Sequence, residues 1–348
     1  MATTTSFLRG AGVLILGMVV LAQGMICGQA PLYAAAPASP EVSASGPPAP
    51  DSTRLPYYTS IQTLERSVTL GRLSNGLTVI VQEHHVAPVA TVRCYVANTG
   101  SAFEGPYLGA GISHVLEHIV AGGSTTSRTE AQIRELVNRF GGATNAFTSH
   151  DMTFYYIDCP AKDTLACIEL VADFMQHCRF EPAEFDRELE VIKRELADGE
   201  ADRSRVQWDL LAQTVYQVSP ARHPIIGYLD VLSRTRREAI VDFYRKRYVP
   251  NNQVFVVVGD VRTREVMDHL ARQYAGTPRG RETAVAMPDE PEQLAPREAV
   301  REMDGVNYDL ALAWPTVRLA HPDLYALDLA AYVPVSYTHL TLPTIYSV

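Results

Sequence analysis

The feature that most constrains this chain is a five-residue string at positions 114–118, His-Val-Leu-Glu-His. Residues four positions apart lie on one face of an α-helix, one turn above the other, so both imidazoles can point at the same ion. Glu117 lies beside that face, within reach of a water molecule held there. This is the H-x-x-E-H pattern, the reverse of H-E-x-x-H. The string predicts a metal-binding helix, and it leaves open the alternative of two histidines on a solvated helix.

The flanking sequence predicts that this helix is buried. Its apolar residues are Val115, Leu116, Ile119 and Val120. An imidazole or carboxylate buried without a partner is costly, so three such groups together are best explained by a cation and hydrogen bonds. Glycines at 109, 111, 122 and 123 bracket a short helix and permit close backbone approach.

A second segment, residues 181–200, has the pattern of an amphipathic helix and offers a distant third ligand. A catalytic zinc site uses three protein ligands and keeps a fourth position for water. Apolar residues recur at spacings of four, three and four, at Phe185, Leu189, Ile192 and Leu196. Glu188 and Glu195 are seven apart and therefore share one face of this helix. Glu184, Glu190 and Glu200 are expected to be ordinary surface charges.

With these residues the chain resembles the pitrilysin/insulinase-type zinc metallopeptidases, which include the mitochondrial processing peptidases. That family has a glutamate ligand about 76 residues beyond the second histidine, and 76 residues separate His118 from Glu195. The resemblance implies one Zn²⁺ per chain, bound by His114, His118 and Glu195. It implies that Glu117 activates a zinc-bound water. Glu188 would be the outer partner that orients a ligand histidine.

The resemblance extends over about residues 65–275. The matching segments are 73–81, 140–148, 223–227 and 247–261. One departure is residues 119–125, Ile-Val-Ala-Gly-Gly-Ser-Thr, where the family more often has a Met, an aromatic and a Lys-Gly-Thr-like end. The resemblance implies a substrate strand at Asn145, Ala146 and Phe147, to whose edge an extended peptide would add.

The expected fold class is α+β, a layered domain with an antiparallel-rich sheet and helices on one face. In the family such domains are repeated and face each other as a clamshell. Ser127 and Glu130 are expected to form a capping box at the start of a helix. Further helices are expected near residues 161–177, 183–202, 206–216, 236–247 and 264–274, with a closing strand at 254–258.

The predicted organisation follows composition along the chain. It comprises a signal peptide (1–30), a Pro/Ala/Ser-rich linker (31–60), a zinc peptidase domain (61–276), an interdomain linker (277–298), the truncated start of a second peptidase-like domain (299–334) and a tail (335–348). The tail resembles a translated sequencing adaptor.

The N-terminus predicts export. Arg9 precedes an apolar run over residues 11–22, which is typical of a secretory signal. The protein is then expected in the periplasm if the source is a Gram-negative bacterium. An uncleaved membrane anchor is the alternative, although the run is short for a membrane span. Free thiols and disulfides both remain open for Cys94, Cys159, Cys167 and Cys178.

Composition narrows the functional classes. A net charge of −9 disfavours nucleic acid as a partner, and 47% hydrophobic residues suffice for a sizeable core. The expected function is a zinc-dependent metallopeptidase that hydrolyses peptides or unfolded protein segments, alone or as a homo- or heterodimer with a related subunit. The alternatives are a non-catalytic or weakly active subunit of a two-chain peptidase complex, and a peptide-binding scaffold.

Overall fold

The computed structural model describes residues 57–281, 285–305, 308–317 and 321–329, together with a two-residue strand at 13–14. The predicted tail, and the predicted signal peptide apart from that strand, lie outside the described residues. The chain divides into two compact units. The larger falls within Pro40–Asp198 and His223–Ala286, and the smaller within Met1–Ser39, Gly199–Arg222 and Met287–Val348.

The regular elements are as follows. The strands are β1 (Val13–Leu14), β2 (Tyr58–Thr63), β3 (Val68–Leu73), β4 (Thr78–Glu83), β5 (Val89–Ala97), β6 (Ala143–Thr148), β7 (Met152–Pro160), β8 (Gln253–Gly259) and β9 (Asp309–Leu310). The helices are α1 (Ile112–Val120), α2 (Glu130–Phe140), α3 (Thr164–His177), α4 (Pro182–Ala201), α5 (Arg203–Val215), α6 (Leu229–Leu232), α7 (Arg237–Arg247) and α8 (Thr263–Gln273).

A seven-stranded sheet organises the larger unit, in the order β2-β3-β4-β8-β5-β7-β6. Its pairs are antiparallel except for β4 with β8, which run parallel. Burial alternates along the central strands, as expected when only one face of a sheet is covered. The α+β class with an antiparallel-rich sheet is confirmed.

Helices cover the buried face of this sheet. α1 packs on β6 and β7, α3 on β5 and β7, and α8 on β3 and β4. Val115 and Leu116 of α1 are fully buried, and each contributes about 1.5–3 kcal/mol through the surface it removes from water. The helix that carries the histidines is therefore held rigidly against the sheet.

Glycine allows a close approach at the start of α1. Gly111 is in the left-handed region at φ 67°, and a Cβ there would lie 2.1 Å from the carbonyl oxygen of Ile226. The same loop donates the Tyr228 N–H to the Gly109 carbonyl at 2.8 Å. The close backbone approach expected from the flanking glycines is therefore present, and it fixes where α1 begins.

Two expectations for individual side chains are wrong. α2 is capped by Thr129, whose capping box is completed by Gln132. The hydroxyl of Ser127 instead donates to Asp173, a contact between distant parts of the chain. Glu184 is not a free surface charge, because its carboxylate accepts hydrogen bonds from the N–H and the hydroxyl of Ser124.

In the smaller unit, α5 contacts the chain that follows residue 286. The carboxylate of Glu290 accepts hydrogen bonds from the N–H groups of Gln217 and Val218 at 3.0 and 2.9 Å. Arg297 donates to the carbonyl oxygen of Val215, at the end of α5. β1 pairs in parallel with β9, and residues 324–329 are helical.

Two further properties bear on the expectations from sequence. The four cysteines at 94, 159, 167 and 178 are free thiols. No helix in the described ranges is long and apolar enough to cross a bilayer. The domain boundaries predicted from the sequence stay a prediction.

Candidate metal centre

The structure brings His114, His118 and Glu195 together from two helices. Nε2 of His114 lies 3.7 Å from Oε2 of Glu195, and Nε2 of His118 lies 3.6 Å from the same oxygen. The two imidazole rings meet edge to face, with centroids 4.7 Å apart and planes at 70°. One potential ligand atom from each residue lies within 4.8 Å of the others. Among the described residues this is the one such group of three.

The separations of these atoms fit a zinc ion. Two ligands that are each about 2.0–2.2 Å from one tetrahedral ion lie roughly 3.4 Å apart. The distances of 3.6 and 3.7 Å are close to that value. Two imidazole nitrogens with one carboxylate oxygen also form a donor set typical of catalytic zinc, which leaves a position open for water.

The charges at the site fit a cation as well. Hydrogen bonding to Glu195 raises the pKa of His118, and the charges of Glu117 and Glu188 act in the same direction. Three carboxylates thus face one side chain, so the site favours positive charge. A metal ion held by these residues would supply that positive charge in place of a proton.

Glu188 faces the other nitrogen of His118. Its Oε2 lies 3.6 Å from Nδ1, while Glu195 lies on the Nε2 side of the ring. Metal-binding histidines commonly direct their second nitrogen to a carboxylate, which fixes the tautomer and the ring orientation. The geometry therefore suits the orienting role expected for Glu188.

Glu117 lies half-buried on α1 between the two histidines in sequence. Burial raises the pKa of its carboxyl group, while polar groups of Thr148 and the charge of His118 oppose the rise. The hydroxyl of Thr148 itself donates to the carbonyl oxygen of Ser113 at 3.4 Å. Thr148 is buried at the end of β6 and went unnoticed in the sequence. Its position directly after the expected substrate strand was the available signal.

Glu104 is a second residue that the sequence did not reveal. Its carboxylate is 1% exposed and accepts hydrogen bonds from the N–H groups of Gly111 (3.1 Å) and Ser113 (2.9 Å). α1 begins after a glycine, which has no side chain to cap it, and Glu104 supplies the missing acceptor from an earlier loop. Burial raises the pKa of Glu104 to about 8. No local sequence pattern predicts a capping residue such as Glu104, which lies several residues before the helix that it caps.

The expected substrate strand lies at a sheet edge. Among the strands of the described ranges, β6 is the last in the sheet order and pairs only with β7. Asn145, Ala146 and Phe147 lie on it, and the side chain of Phe147 is 50% exposed. α1 packs on this strand, so the edge lies next to the histidine-bearing helix.

Two protein-family models match this chain. The family model described as "Insulinase (Peptidase family M16)" matches residues 78–228. The model described as "Peptidase M16 inactive domain" matches residues 235–334.

Similar proteins include the probable mitochondrial-processing peptidase subunit beta of Arabidopsis thaliana. It is 30% identical over 202 residues, which are 58% of this chain and 38% of that protein. The zinc protease PqqE of Helicobacter pylori is 30% identical over 224 residues, 63% of this chain and 50% of that protein. The crystal structure of a protease from Helicobacter pylori superposes with a TM-score of 0.60 and 27% identity, over 66% of this chain and 55% of that one. The chain thus spans about half the length of the relatives it matches, or less.

The chain therefore has a layered α+β fold of the kind found in a family that includes zinc proteases. The chain belongs to the insulinase-type peptidase family, M16.

Proposed function

We propose that this chain carries the zinc-binding half of a metallopeptidase that hydrolyses peptides or unfolded protein segments. The observation that carries the proposal is the convergence of His114 Nε2 and His118 Nε2 on one oxygen of Glu195. These residues come from α1 and α4, which are separated by 61 residues between Val120 and Pro182.

His114, His118 and Glu195 would hold the ion, and Glu188 would keep the ring of His118 in place. When bound, zinc supplies a Lewis acid that lowers the pKa of water toward about 7 and polarises a carbonyl group. The proton transfers are assigned to side chains of the protein.

Glu117 is proposed as the general base and then the general acid. It would accept a proton from the attacking water and deliver it to the nitrogen of the leaving amine. Burial raises the pKa of Glu117, which suits a carboxylate that must both take up and release a proton near neutral pH. Polar groups of Thr148 favour the charged form of this carboxylate, and Thr148 is proposed to keep it in place for both transfers.

The outer edge of β6, which no described strand covers, supports a substrate-binding mode. An extended peptide would pair with the backbone of Asn145, Ala146 and Phe147 and lengthen the sheet by one strand. Pairing through the backbone depends little on the side chains of the peptide but requires an extended chain, so it favours unfolded segments over folded proteins. The exposed ring of Phe147 offers an apolar contact for one substrate side chain.

A second candidate is a subunit that binds peptides within a two-chain peptidase without cleaving them alone. Two observations favour keeping it. Residues 235–334 match a domain described as inactive, and one relative is named as a subunit.

The predicted signal peptide supports the further proposal that the protein works outside the cytoplasm, with membrane contact only if that segment remains uncleaved.

The test is metal-dependent cleavage of an unstructured fluorogenic peptide by the whole protein. Removal of metal by a chelator is expected to abolish cleavage, and one equivalent of zinc is expected to restore it. Zinc binding without cleavage, with cleavage appearing only on addition of a related subunit, would favour the second candidate. Cleavage that persists in excess chelator would exclude the proposed chemistry.

A further inference from the structure

The N-terminal half of α4 is fastened to the connection between α1 and α2. Glu184 accepts hydrogen bonds from the N–H of Ser124 at 2.9 Å and from its hydroxyl at 2.5 Å. The hydroxyl oxygen of Ser124 in turn accepts the N–H of Glu130 at 3.0 Å, in the first turn of α2. The start of α2 is therefore held at a fixed place beside α4.

Arg187 of α4 joins two carboxylates across this junction. Its Nη2 donates to Oε2 of Glu130 at 3.1 Å. Its Nε and Nη2 donate to Oε1 of Glu188 at 3.2 and 3.1 Å. A guanidinium group is planar and presents its donors in a rigid fork, so it can restrict the rotation of the carboxylate it binds.

The two carboxylate oxygens of Glu188 have different partners. Arg187 takes Oε1, and Oε2 is left facing Nδ1 of His118 at 3.6 Å. A freely rotating carboxylate would divide its time among several orientations. The side chain of Glu188 is 20% exposed, so water competes little for it.

We propose that Arg187, anchored by Glu130, is a positioning residue that holds Glu188 against His118 and thereby raises the zinc affinity of the site. The inference rests on the proposed zinc site and adds a residue outside the ligand set. Among the described residues Arg187 contacts Glu130 and Glu188 and none of the three proposed ligands, so its effect on the metal must pass through Glu188.

The expected size of the effect follows from this indirect action. Loss of a residue that orients a metal ligand commonly lowers metal affinity about 10–100-fold. Arg187 acts one contact further out and is half exposed, so its removal is expected to weaken zinc binding about 3–10-fold. Lysine keeps the charge but lacks the fork, so Arg187→Lys is expected to stay weakened.

Arg134 provides a matched control. It donates to the other oxygen of Glu130, Oε1, at 2.7 Å, and it has no contact with Glu188 among the described residues. Arg134→Ala removes one positive charge from the same carboxylate and is expected to leave zinc affinity within about twofold of wild type, as for an exposed ion pair.

The experiment measures zinc dissociation constants by competition with a chromophoric chelator, on the whole protein. The variants are Arg187→Ala, Arg187→Lys, Arg134→Ala, Glu188→Gln and the double variant Arg187→Ala/Glu188→Gln. Thermal unfolding of each metal-free protein reports whether folding is intact. In the Glu188→Gln background, Arg187→Ala is expected to have no further effect on zinc affinity.

Each outcome decides the proposal. It is overturned if Arg187→Ala binds zinc as tightly as wild type, if Arg187→Lys restores full affinity, or if Arg187→Ala weakens the Glu188→Gln variant by the same factor as wild type. An equal loss in Arg134→Ala would assign the effect to general charge and would overturn it too. A wild-type protein without zinc affinity would instead refute the proposed function on which the inference rests.

Discussion

Glu104 couples the stability of the fold to pH. Its carboxyl group is almost fully buried at the start of α1, and burial raises its pKa from the ordinary 4.5 to about 8. Between these two values the folded chain holds a proton that the unfolded chain has released. Stability is therefore highest below pH 4.5 as far as this group is concerned, and it falls as pH rises toward 8.

The slope follows from proton linkage. One proton held only by the folded state costs about 1.4 kcal/mol of stability for each unit of rising pH, so the interval from pH 6 to 8 removes about 2–3 kcal/mol as an upper bound. For a domain of about 150–250 residues this corresponds to a fall in Tm of roughly 4–12 °C. Glu104→Gln has nearly the same shape, retains one carbonyl acceptor and does not titrate.

Thermal unfolding at pH 6, 7 and 8, followed by far-ultraviolet circular dichroism in chelator, measures the effect. The stability advantage of wild type over Glu104→Gln is expected to shrink as pH rises. Glu135→Gln, at an exposed glutamate of α2, controls for loss of one negative charge and is expected to parallel wild type. An advantage that stays constant would show that Glu104 does not titrate in this range. An advantage that grows with pH would show that the helix N–H groups outweigh burial, and would refute the reasoning.

Three further changes test individual contacts. Thr148→Val removes a hydroxyl that favours the charged form of Glu117. At about 1.5 kcal/mol for an interaction with a charged group, kcat/KM is expected to fall roughly tenfold with zinc content unchanged, while Thr148→Ser retains activity. Equal rates in Thr148→Val and wild type would argue against this interaction. Gly111→Ala places a Cβ 2.1 Å from a carbonyl oxygen at φ 67°, so it is expected to lower the free energy of unfolding by more than about 2 kcal/mol. Gly122→Ala, at φ 97° in open space, is the control and is expected to lower it by about 1 kcal/mol. Equal losses in urea titrations would refute the close approach at Gly111. Free zinc at about 1,000 times its Kd stabilises the folded protein by about 4 kcal/mol, which raises Tm. Glu195→Gln is expected to lose most of this rise in Tm. An undiminished rise would exclude Glu195 as a ligand.

Much of the fold was predictable because its helices are long and regularly patterned. The helix expected at 183–202 is found at Pro182–Ala201, and the one expected at 236–247 is found at Arg237–Arg247. Apolar spacing sets such helices locally. The meeting of His118 with Glu195 was foreseen through the spacing of a family resemblance, since no local rule brings α1 to α4.

The remaining features depend on contacts that sequence spacing does not encode. Ser127 had the right neighbours for a capping box, but Asp173 on α3 takes its hydroxyl and Thr129 caps α2 instead. Glu184 resembled any exposed helix glutamate until the loop after α1 folded onto it. Glu104 is revealed only by the three-dimensional fold, because it caps a helix that begins several residues later.

Glu117 is proposed to act as a base beside a zinc ion that other residues would hold. Zinc content, determined by atomic emission, and the rate of peptide cleavage should therefore be measured together for wild type and Glu117→Gln. About one zinc per chain is expected in both proteins, and cleavage is expected in wild type alone. Equal zinc and equal rates in the two proteins would contradict the role of Glu117, and a wild-type protein without zinc would contradict the site itself.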